Sequence, residues 1–431
     1  MERGVRSFLT AVFRRLLSIF FRRIEITGLE NVPTDRPVIY AVNHPNGLVD
    51  PLFILCFAPG PVSFLAKAPL MRMPMIGYIV RTFESVPVYR KQDHTAGTNE
   101  ETFSIARDIL RRGGSVAIFP EGTTHSDSRL REMKTGAARI AIGAALPTLV
   151  IVPAGIYYTE KQTFRSKALV VFGPAIPVAG SSTGEPPREA VERLTANIER
   201  ELRELTLQAD SKSALDLIGS AEDIFTSDGE QPLAEELELR RRFIDGYHFL
   251  REREPLRLAR LESEIRRFGS ELSRFRLDPH ELTPRFDADN LLRVLVLFPV
   301  GLAGAAIHFI PYRIVSFLSR RIFHGAAEMM ATTKFLAGLL IYPLTWIGIS
   351  VFAGVRWGVL PAMAALLTLP VLGYGALRLF EDLDDAIGRT RAVFHRLTQR
   401  SAHQLLVEQR RAIRAEIQAV NGELYGSTAA D

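Results

Sequence analysis

The sequence predicts an α/β domain, then a charged helical segment, then C-terminal transmembrane helices. Three observations along the 431 residues support this order. Short apolar runs that end in turn residues alternate with helical stretches from Pro37 to Phe172, which is typical of a sheet flanked by helices. Residues 188–289 are rich in Glu, Arg and Leu at helical spacing. Long apolar stretches follow, and a chain of this length has room for two such regions.

Residues 1–24 are predicted to form an amphipathic helix that associates with a membrane. The apolar residues form one face with basic borders: Phe8, Leu9, Val12, Phe13, Leu16, Leu17, Ile19 and Phe20 against Arg3, Arg6, Arg14, Arg15, Arg22 and Arg23. Such a helix can lie on an anionic bilayer. Alternatively, its apolar face packs against the core of the protein.

The α/β domain is predicted to span residues 25–205. Its strands are expected at five apolar runs: Val38–Val42, Val62–Ala66, Ser115–Phe119, Thr148–Ala154 and Ala168–Phe172. The stretch from Val178 to Pro187 is rich in Gly, Ser, Thr and Pro and has the composition of a linker. The segment from 188 to 289 then predicts solvated helices, as an antiparallel pair, and we assign residues 206–289 to a charged helical region.

Residues 290–380 are predicted to form two or three membrane helices, followed by a helical cytosolic tail at 381–431. The apolar stretches lie at 291–311, 335–355 and 358–378, and the second and third are each near the ~20 residues that a helix needs to cross a bilayer. Lys334 precedes this pair and Arg378 closes it, which favours a helical hairpin with both ends cytosolic. The first stretch contains Pro299 and Pro311 and is expected to be re-entrant or shallow.

Composition excludes several classes of site. Cys56 is the single cysteine, so an intrachain disulfide and a zinc-type cysteine cluster are excluded, and a reducing, cytosol-facing environment is expected. The formal net charge is +5, and several basic residues flank apolar stretches. This arrangement favours a phospholipid surface as a partner, and no nucleic-acid partner is expected.

His44 and Asp50 directly follow the apolar run Val38–Val42. The carboxyl end of a strand is where α/β folds build their sites. A neutral imidazole can act as general base on a hydroxyl, and a nearby carboxylate fixes its tautomer and stabilises the imidazolium that forms. The alternative is that Asp50 caps the helix that begins near Pro51 and that His44 is a turn residue.

A second group of polar residues, Phe119-Pro120-Glu121-Gly122-Thr123, follows the run from Ser115. Backbone N–H groups in such a turn can bind phosphate, and Lys134 downstream can add a positive charge. Glu121 would accept hydrogen bonds from a glycerol hydroxyl or orient a basic neighbour, unless it is an ordinary turn carboxylate. Further candidates are Arg90, by its bidentate guanidinium, and Pro153, at a strand end that either lines a channel or is simply buried.

At these residues the sequence resembles the glycerol-3-phosphate and lysophosphatidate acyltransferase superfamily. Four ordered motifs carry the resemblance: Asn43-His44 with Asp50, the segment ending at Arg90, Phe119 to Thr123, and Val152-Pro153-Ala154. It covers residues 25–205 and implies a glycerolipid-acyltransferase-type sheet flanked by helices. It also implies a catalytic dyad of His44 and Asp50, with substrate bound by Asn43, Arg90, Glu121, Gly122, Thr123, Lys134 and Pro153. No metal or tightly bound cofactor is implied, and acyl-CoA or acyl-ACP would be the co-substrate.

One departure concerns the spacing of the dyad. Five residues, Pro45 to Val49, intervene where most members have four, and Gly47 is expected to absorb the extra residue in a wider turn. The wider gap resembles fungal-type glycerol-3-phosphate and dihydroxyacetone-phosphate acyltransferases, which also carry C-terminal membrane helices.

The expected function is therefore acylation of a hydroxyl of glycerol 3-phosphate or dihydroxyacetone phosphate by an integral membrane enzyme of phospholipid biosynthesis, with its catalytic domain facing the cytosol. Its expected partners are the phospholipid surface, the acyl donor and the glycerol-phosphate acceptor. One alternative is a lysophosphatidate or lysophospholipid acyltransferase. A second is a membrane lipid-binding scaffold without turnover, which is favoured if the wider gap displaces Asp50 from His44. A third is a serine hydrolase built on Gly180-Ser181-Ser182-Thr183-Gly184, although this stretch has the composition of a linker.

Overall fold

A computed structural model describes residues 2–89, 98–161, 163–179, 186–226, 232–282, 288–322 and 327–426. The chain divides into two compact units. The first unit comprises Met1–Asp210, Pro232–Leu237 and Gly325–Thr332. The second comprises Ser211–Gln231, Glu238–His324 and Thr333–Asp431.

The first unit is built on one mixed β-sheet. Its described strands are β1 (Arg23–Thr27), β2 (Val38–Val42), β3 (Val62–Lys67), β4 (Val86–Val88), β5 (Ser115–Ile118), β6 (Val150–Tyr158), β7 (Lys167–Phe172) and β8 (Ile176–Pro177). The strand order is β1-β7-β6-β2-β5-β3-β4, and β8 pairs with β6. β2 is parallel to both of its neighbours, β5 and β6. Their carboxyl ends therefore meet at one edge of the sheet.

Helices cover the sheet of the first unit. They are α1 (Glu2–Phe20), α2 (Val49–Phe57), α3 (Pro74–Thr82), α4 (Asn99–Arg111), α5 (Gly136–Ala144) and α6 (Arg188–Leu205). One apolar core of this unit joins side chains of the central strands, such as Ile39 and Val116, to side chains of α4, α5 and α6, such as Leu110, Ile140 and Leu202. Burial of these apolar faces is the main term that stabilises such a layered domain.

The predicted α/β class is confirmed, and each of the five predicted strands is present with ends shifted by up to four residues. The prediction missed β1, β4 and β8. Among the described strands, β1 pairs with β7 alone and therefore lies at an edge of the sheet. Its sequence alternates charged and apolar residues. β4 and β8 span three and two residues, which is too short to produce a periodic signal.

The N-terminal helix α1 uses part of its apolar face for packing. Phe13, Leu17 and Phe20 are buried, whereas Phe8 is 67% exposed. Arg6 donates to the carbonyl oxygen of Val62 at 2.7 Å. The alternative of a core-packing helix therefore describes the second half of α1, and the predicted contact with a membrane stays a prediction.

The second unit contains a helical bundle. α7 (Lys212–Phe225), most of α8 (Leu233–Arg253), α9 (Pro255–Phe275) and α13 (Arg400–Tyr425) contribute to one apolar core. This core contains residues from both sides of the apolar stretches in the sequence. Leu261 and Ile265 precede those stretches, and Leu406 and Ile413 follow them. The predicted antiparallel pair between 188 and 289 is wrong, because the described residues of this segment form four α-helices, α6 to α9.

Among the residues that the structure describes, three helices are long and apolar enough to cross a membrane. They are α10 (Ala288–Ile322), α11 (Ala327–Trp357) and α12 (Val359–Thr398). Gly358, with a φ of +100°, joins α11 to α12, which are the two helices of the predicted hairpin. The predicted first stretch is part of a 35-residue helix that includes Pro299 and Pro311. α10 packs tightly on α12, since a Cβ atom on Gly304 would lie 2.0 Å from the carbonyl oxygen of Leu372.

The shared bundle core limits the membrane topology. α7 and α9 precede these three helices and α13 follows them, yet all contribute side chains to one core. Three full crossings would place α13 across the membrane from α7 and α9. We therefore predict that the chain crosses the membrane an even number of times.

This topology predicts that Ser263→Cys and Ser401→Cys, both at exposed positions, react with a membrane-impermeant maleimide from the same side of sealed vesicles. The native Cys56 provides a silent background, because it is 1% exposed and burial raises the pKa of its thiol to about 12. Labelling of wild type only after denaturation is the control. Labelling of the two variants from opposite sides would contradict the shared core.

A glycine pair tests the packing at the edge of the sheet. Gly28 has a φ of +74°, and a Cβ atom there would lie 2.0 Å from the carbonyl oxygen of Phe172, whereas Gly60 has a φ of +76° with open space around it. Gly60→Ala should cost about 1 kcal/mol of unfolding free energy, from backbone conformation alone. Gly28→Ala should cost a further ~1–3 kcal/mol for the overlap. Thermal unfolding of the two detergent-solubilised variants measures the difference, and equal midpoints would contradict the packing.

Candidate active site

The turn after β2 brings His44 and Asp50 together. β2 is fully buried in the centre of the sheet, and α2 begins at Val49. Between them the chain turns at Gly47, which has a φ of +32°. Nδ1 of His44 lies 2.8 Å from Oδ2 of Asp50. The five-residue gap is therefore accommodated with Gly47 in the left-handed region, and it does not displace the carboxylate from the imidazole.

The carboxylate of Asp50 is completely buried, at 0% exposure, and is surrounded by donors. The N–H of Asn46 donates to Oδ2 at 2.7 Å, and the hydroxyl of Tyr158 donates to Oδ1 at 2.6 Å. A buried carboxylate requires such partners because water no longer solvates it. Burial first, and then Asp50, raises the pKa of Tyr158 well above its ordinary value, so the phenol stays protonated as a donor.

The capping alternative for Asp50 is wrong. The residue that caps α2 is Leu48, which makes no side-chain capping bond, and Asp50 lies inside the first turn. Its oxygens accept from His44, Asn46 and Tyr158, so the carboxylate orients an imidazole.

The hydrogen bond to Asp50 determines which nitrogen of His44 can act as a base. With Nδ1 donating to the carboxylate, the lone pair of the neutral ring lies on Nε2. The ring stacks on Phe119, with centroids 4.1 Å apart and planes at 19°. The side chain keeps 15% exposure, so the imidazole is held on one face and remains partly accessible.

The turn after β5 reaches the same edge of the sheet and carries Glu121. This carboxylate is 2% exposed. Oε1 accepts from the backbone N–H of His44 at 2.9 Å, and Oε2 accepts from the N–H of Arg131 at 3.1 Å and pairs with Nε2 of His125. Both carboxylate oxygens of Glu121 thus accept hydrogen bonds from the protein itself. This favours the predicted role of orienting a basic neighbour over a bond to a glycerol hydroxyl.

Gly122, Thr123 and Lys134 lie together beside this turn. Gly122 has a φ of +71°, and a Cβ atom there would lie 2.3 Å from Nζ of Lys134. Lys134 is exposed, and its backbone N–H donates to the carbonyl oxygen of Pro120 at 2.8 Å. Thr123 is half-buried. The positive φ favours glycine at this position, and the end of the Lys134 side chain lies over it.

Asn43 and Pro153 belong to the framework of the sheet. The side chain of Asn43 bonds Ile156 twice, accepting from its N–H at 2.7 Å and donating to its carbonyl oxygen at 3.0 Å. The amide thus extends the pairing of β2 with β6 past Val42. Pro153 is buried inside β6 opposite Ala41, as the plain-strand alternative holds. Arg90, predicted to bind phosphate, lies outside the described residues.

Sequence reasoning missed Tyr158 and His125. Tyr158 is the last residue of β6, at the same sheet edge as His44, but only the strand register shows this. His125 lies three residues after Gly122 in a polar segment. Such a segment has no apolar periodicity from which the position of a single histidine could be predicted. Among the residues that the structure describes, no three His, Cys, Asp or Glu side chains form a group that could hold a metal ion.

Comparison with known proteins gives the relatives of this site. Residues 23–157 match the protein-family model described as Acyltransferase. Glycerol-3-phosphate O-acyltransferase 2 of Saccharomyces cerevisiae is 27% identical over 283 residues, which cover 59% of this chain and 38% of that protein. Glycerol-3-phosphate O-acyltransferase 1 of the same yeast is 24% identical over 462 aligned positions, which cover 79% of this chain and 60% of that protein.

A plant relative matches a shorter region. The chloroplastic 1-acyl-sn-glycerol-3-phosphate acyltransferase LPAT1 of Arabidopsis thaliana is 31% identical over 147 residues, which cover 34% of this chain and 39% of that protein. The matches confirm the predicted resemblance and place an acyltransferase domain at residues 23–157. The chain spans 38% and 60% of the lengths of the two yeast relatives.

The donor to Asp50 can be tested by Tyr158→Phe, which removes the hydroxyl and keeps the ring. Oδ1 of a carboxylate with no exposure would lose its hydrogen bond, which should lower the free energy of unfolding by ~1–3 kcal/mol. Tyr78→Phe, at an exposed tyrosine of α3, is the control and should unfold like wild type. Denaturant titration measures both, and equal stabilities would show that the Tyr158 bond contributes nothing.

Proposed function

We propose that this chain, with its acyltransferase domain at residues 23–157, is a membrane-bound O-acyltransferase of phospholipid biosynthesis. It would transfer a fatty acyl group from acyl-CoA or acyl-ACP to a hydroxyl of glycerol 3-phosphate or dihydroxyacetone phosphate. The observation that carries this proposal is the 2.8 Å contact between His44 and Asp50 at the carboxyl end of the central strand. A hydroxyl cannot ionise unaided at neutral pH, and this pair supplies the base it needs.

In the proposed reaction, Nε2 of His44 takes the proton from the acceptor hydroxyl as its oxygen attacks the thioester carbonyl carbon. The carbon–sulfur bond of the resulting tetrahedral adduct breaks, and the leaving thiolate takes the proton from the imidazolium. The products are an oxygen ester and a free thiol, and no acyl group is attached to the protein. Asp50 stabilises the imidazolium between these two proton transfers.

The surroundings of Asp50 support this role. The donors Asn46 and Tyr158 hold both of its oxygens, so the carboxylate cannot rotate away from His44 without breaking a bond. Its burial also keeps the local dielectric low, which strengthens its attraction to the imidazolium. The scaffold alternative depended on a displaced Asp50, and this geometry favours turnover instead.

The phosphate of the acceptor is proposed to bind near the turn that follows β5. Lys134 lies across Gly122 and is exposed, so its ammonium can reach a bound phosphate. Gly122, Thr123 and Arg90 complete the proposed phosphate-binding set. For Glu121 we propose a role in holding the loops, because its carboxylate already accepts from the protein.

The first acylation of a glycerol phosphate is preferred over the second on the extent of the matches. The yeast glycerol-3-phosphate acyltransferases align over 59% and 79% of this chain, and the plant 1-acyl-sn-glycerol-3-phosphate acyltransferase over 34%. Acylation of lysophosphatidate is the second candidate. The hydrolase alternative rested on residues 180–184, which lie outside the described residues.

The three apolar helices fit this chemistry. Acyl donors and acylated products partition into bilayers, so a site that is held at the membrane avoids moving apolar chains through water. In this proposal the helices anchor the enzyme and do not form a transport path.

The decisive assay uses membranes that contain wild type, His44→Ala or Asp50→Asn, with radiolabelled acyl-CoA and acyl-ACP. The acceptors are glycerol 3-phosphate, dihydroxyacetone phosphate, lysophosphatidate and lysophospholipids. Wild type should acylate glycerol 3-phosphate or dihydroxyacetone phosphate, and each variant should lose a factor of ~10²–10⁴ in kcat. His248→Ala, in α8 of the second unit, is the matched control and should keep full activity.

Wild-type rates in His44→Ala would refute the general-base mechanism. If lysophosphatidate is the one acceptor that is acylated, the general-base mechanism is retained and lysophosphatidate replaces glycerol 3-phosphate or dihydroxyacetone phosphate as the proposed acceptor. If wild type acylates none of the acceptors with either donor, the enzymatic proposal fails and the scaffold alternative replaces it.

A further inference from the structure

We infer that His125 is a positioning residue, which sets the location of His44 through Glu121 and through its own backbone. This inference deepens the proposed function and rests on it for its kinetic consequence. The contacts that support it join the turn of residues 119–125 to the backbone of His44. None of the four sequence motifs includes His125.

The turn from Phe119 to His125 holds both backbone polar groups of His44. The N–H of His44 donates to Oε1 of Glu121 at 2.9 Å. The carbonyl oxygen of His44 accepts from the N–H of His125 at 3.3 Å. The ladder between β2 and β6 ends at Val42, so these two bonds continue the support of the chain after the strand has ended.

The imidazole of His125 fixes the carboxylate that makes the first of these bonds. Its Nε2 pairs with Oε2 of Glu121, and its Nδ1 accepts from the N–H of Asp127 at 3.2 Å. With Nδ1 as acceptor, the ring proton lies on Nε2 and points at the carboxylate. The ring is 7% exposed, so water competes little for these bonds.

The carboxylate of Glu121 is shared between the two histidines. One oxygen serves His44, and the other serves His125 and the N–H of Arg131. Loss of the His125 donor would leave Oε2 with the N–H of Arg131 alone from this pair of donors, and the buried side chain would be free to turn toward that single partner. Any such rotation moves Oε1, and with it the backbone of His44.

The ring of His44 depends on the same turn. It stacks on Phe119, the first residue of the turn, while Asp50 holds Nδ1 from the other side. A shift of the turn relative to β2 would therefore change where Nε2 points. Proton transfer is sensitive to such shifts, since a 1 Å misplacement can cost ~10²-fold in rate.

The kinetic test compares two substitutions of nearly equal size. His125→Gln places an amide N–H near the position of Nε2 and can still donate to Glu121, whereas His125→Asn is too short to reach it. His125→Asn should lower kcat by ~10–10²-fold with KM within about threefold of wild type, and His125→Gln should recover most of that loss. His403→Asn, at a buried histidine of the second unit, is the matched control and should leave kcat unchanged.

A double-mutant cycle tests whether His125 acts through Glu121. Glu121→Gln keeps one acceptor oxygen but replaces the other with an amide that repels the His125 and Arg131 donors. If the two residues act as one unit, the double variant Glu121→Gln/His125→Asn should be no slower than the slower single variant. Fully multiplicative losses would overturn the inference, as would a His125→Gln variant no faster than His125→Asn.

A measurement without substrate separates this inference from the proposed function. Diethyl pyrocarbonate modifies accessible imidazoles, and peptide mass spectrometry gives its rate at His44. This rate should change at least threefold in His125→Asn and return toward wild type in His125→Gln. An unchanged rate in His125→Asn overturns the positioning role. A changed rate in a chain that acylates no acceptor supports the positioning role while the proposed function fails.

Discussion

A carboxylate with no exposure to water must be surrounded by donors, and the site of this protein is arranged around one such group, Asp50. Its donors come from three places in the sequence: the imidazole of His44, the backbone of Asn46 and the hydroxyl of Tyr158. An unpaired charge at this depth would cost several kcal/mol. The turn after β2, the first turn of α2 and the end of β6 are therefore held in one arrangement by the need to satisfy a single side chain.

The sheet makes this arrangement possible. β2 lies between β5 and β6 and is parallel to both, so the three carboxyl ends come out side by side. Each end supplies a different part: His44 and Asp50 after β2, the Glu121–His125 pair after β5, and Tyr158 at the end of β6. Polar side chains extend the pairing where the strands stop, as Asn43 does for Ile156 and Glu121 for His44. The imidazole of His44 is thereby held by Asp50 on one side and by the turn that carries Phe119 and Glu121 on the other.

Much of this could be predicted from the sequence, and the remainder shows what sequence patterns lack. The central strands are continuous apolar runs, and His44 and Asp50 follow one of them directly, so strand and dyad are both visible as local patterns. Tyr158 is invisible because its partner lies 108 positions away, and only the register of β6 against β2 brings them together. Asn43 and Glu121 are expected at the substrate, whereas the structure shows Asn43 bonded to the backbone of Ile156 and Glu121 bonded to two backbone N–H groups and the imidazole of His125, partners that a linear sequence does not show. β1 and the four-helix division of residues 188–289 were missed because edge strands and charged helices depend on packing more than on periodicity.

The core of the second unit has a consequence for how the chain is made. The strands of the first unit lie between residues 23 and 177, so its sheet can form early in synthesis. The bundle core needs Leu261 and Ile265 together with Leu406, Ile413 and Val420, which leave the ribosome about 150 residues later, after all three apolar helices. Until then the apolar side chains of α7 and α9 that pack against α13 lack this cover. The apolar helices are thus synthesised before the bundle core can be completed, and a chain that stops before α13 exposes apolar surface of the kind that cellular quality control recognises.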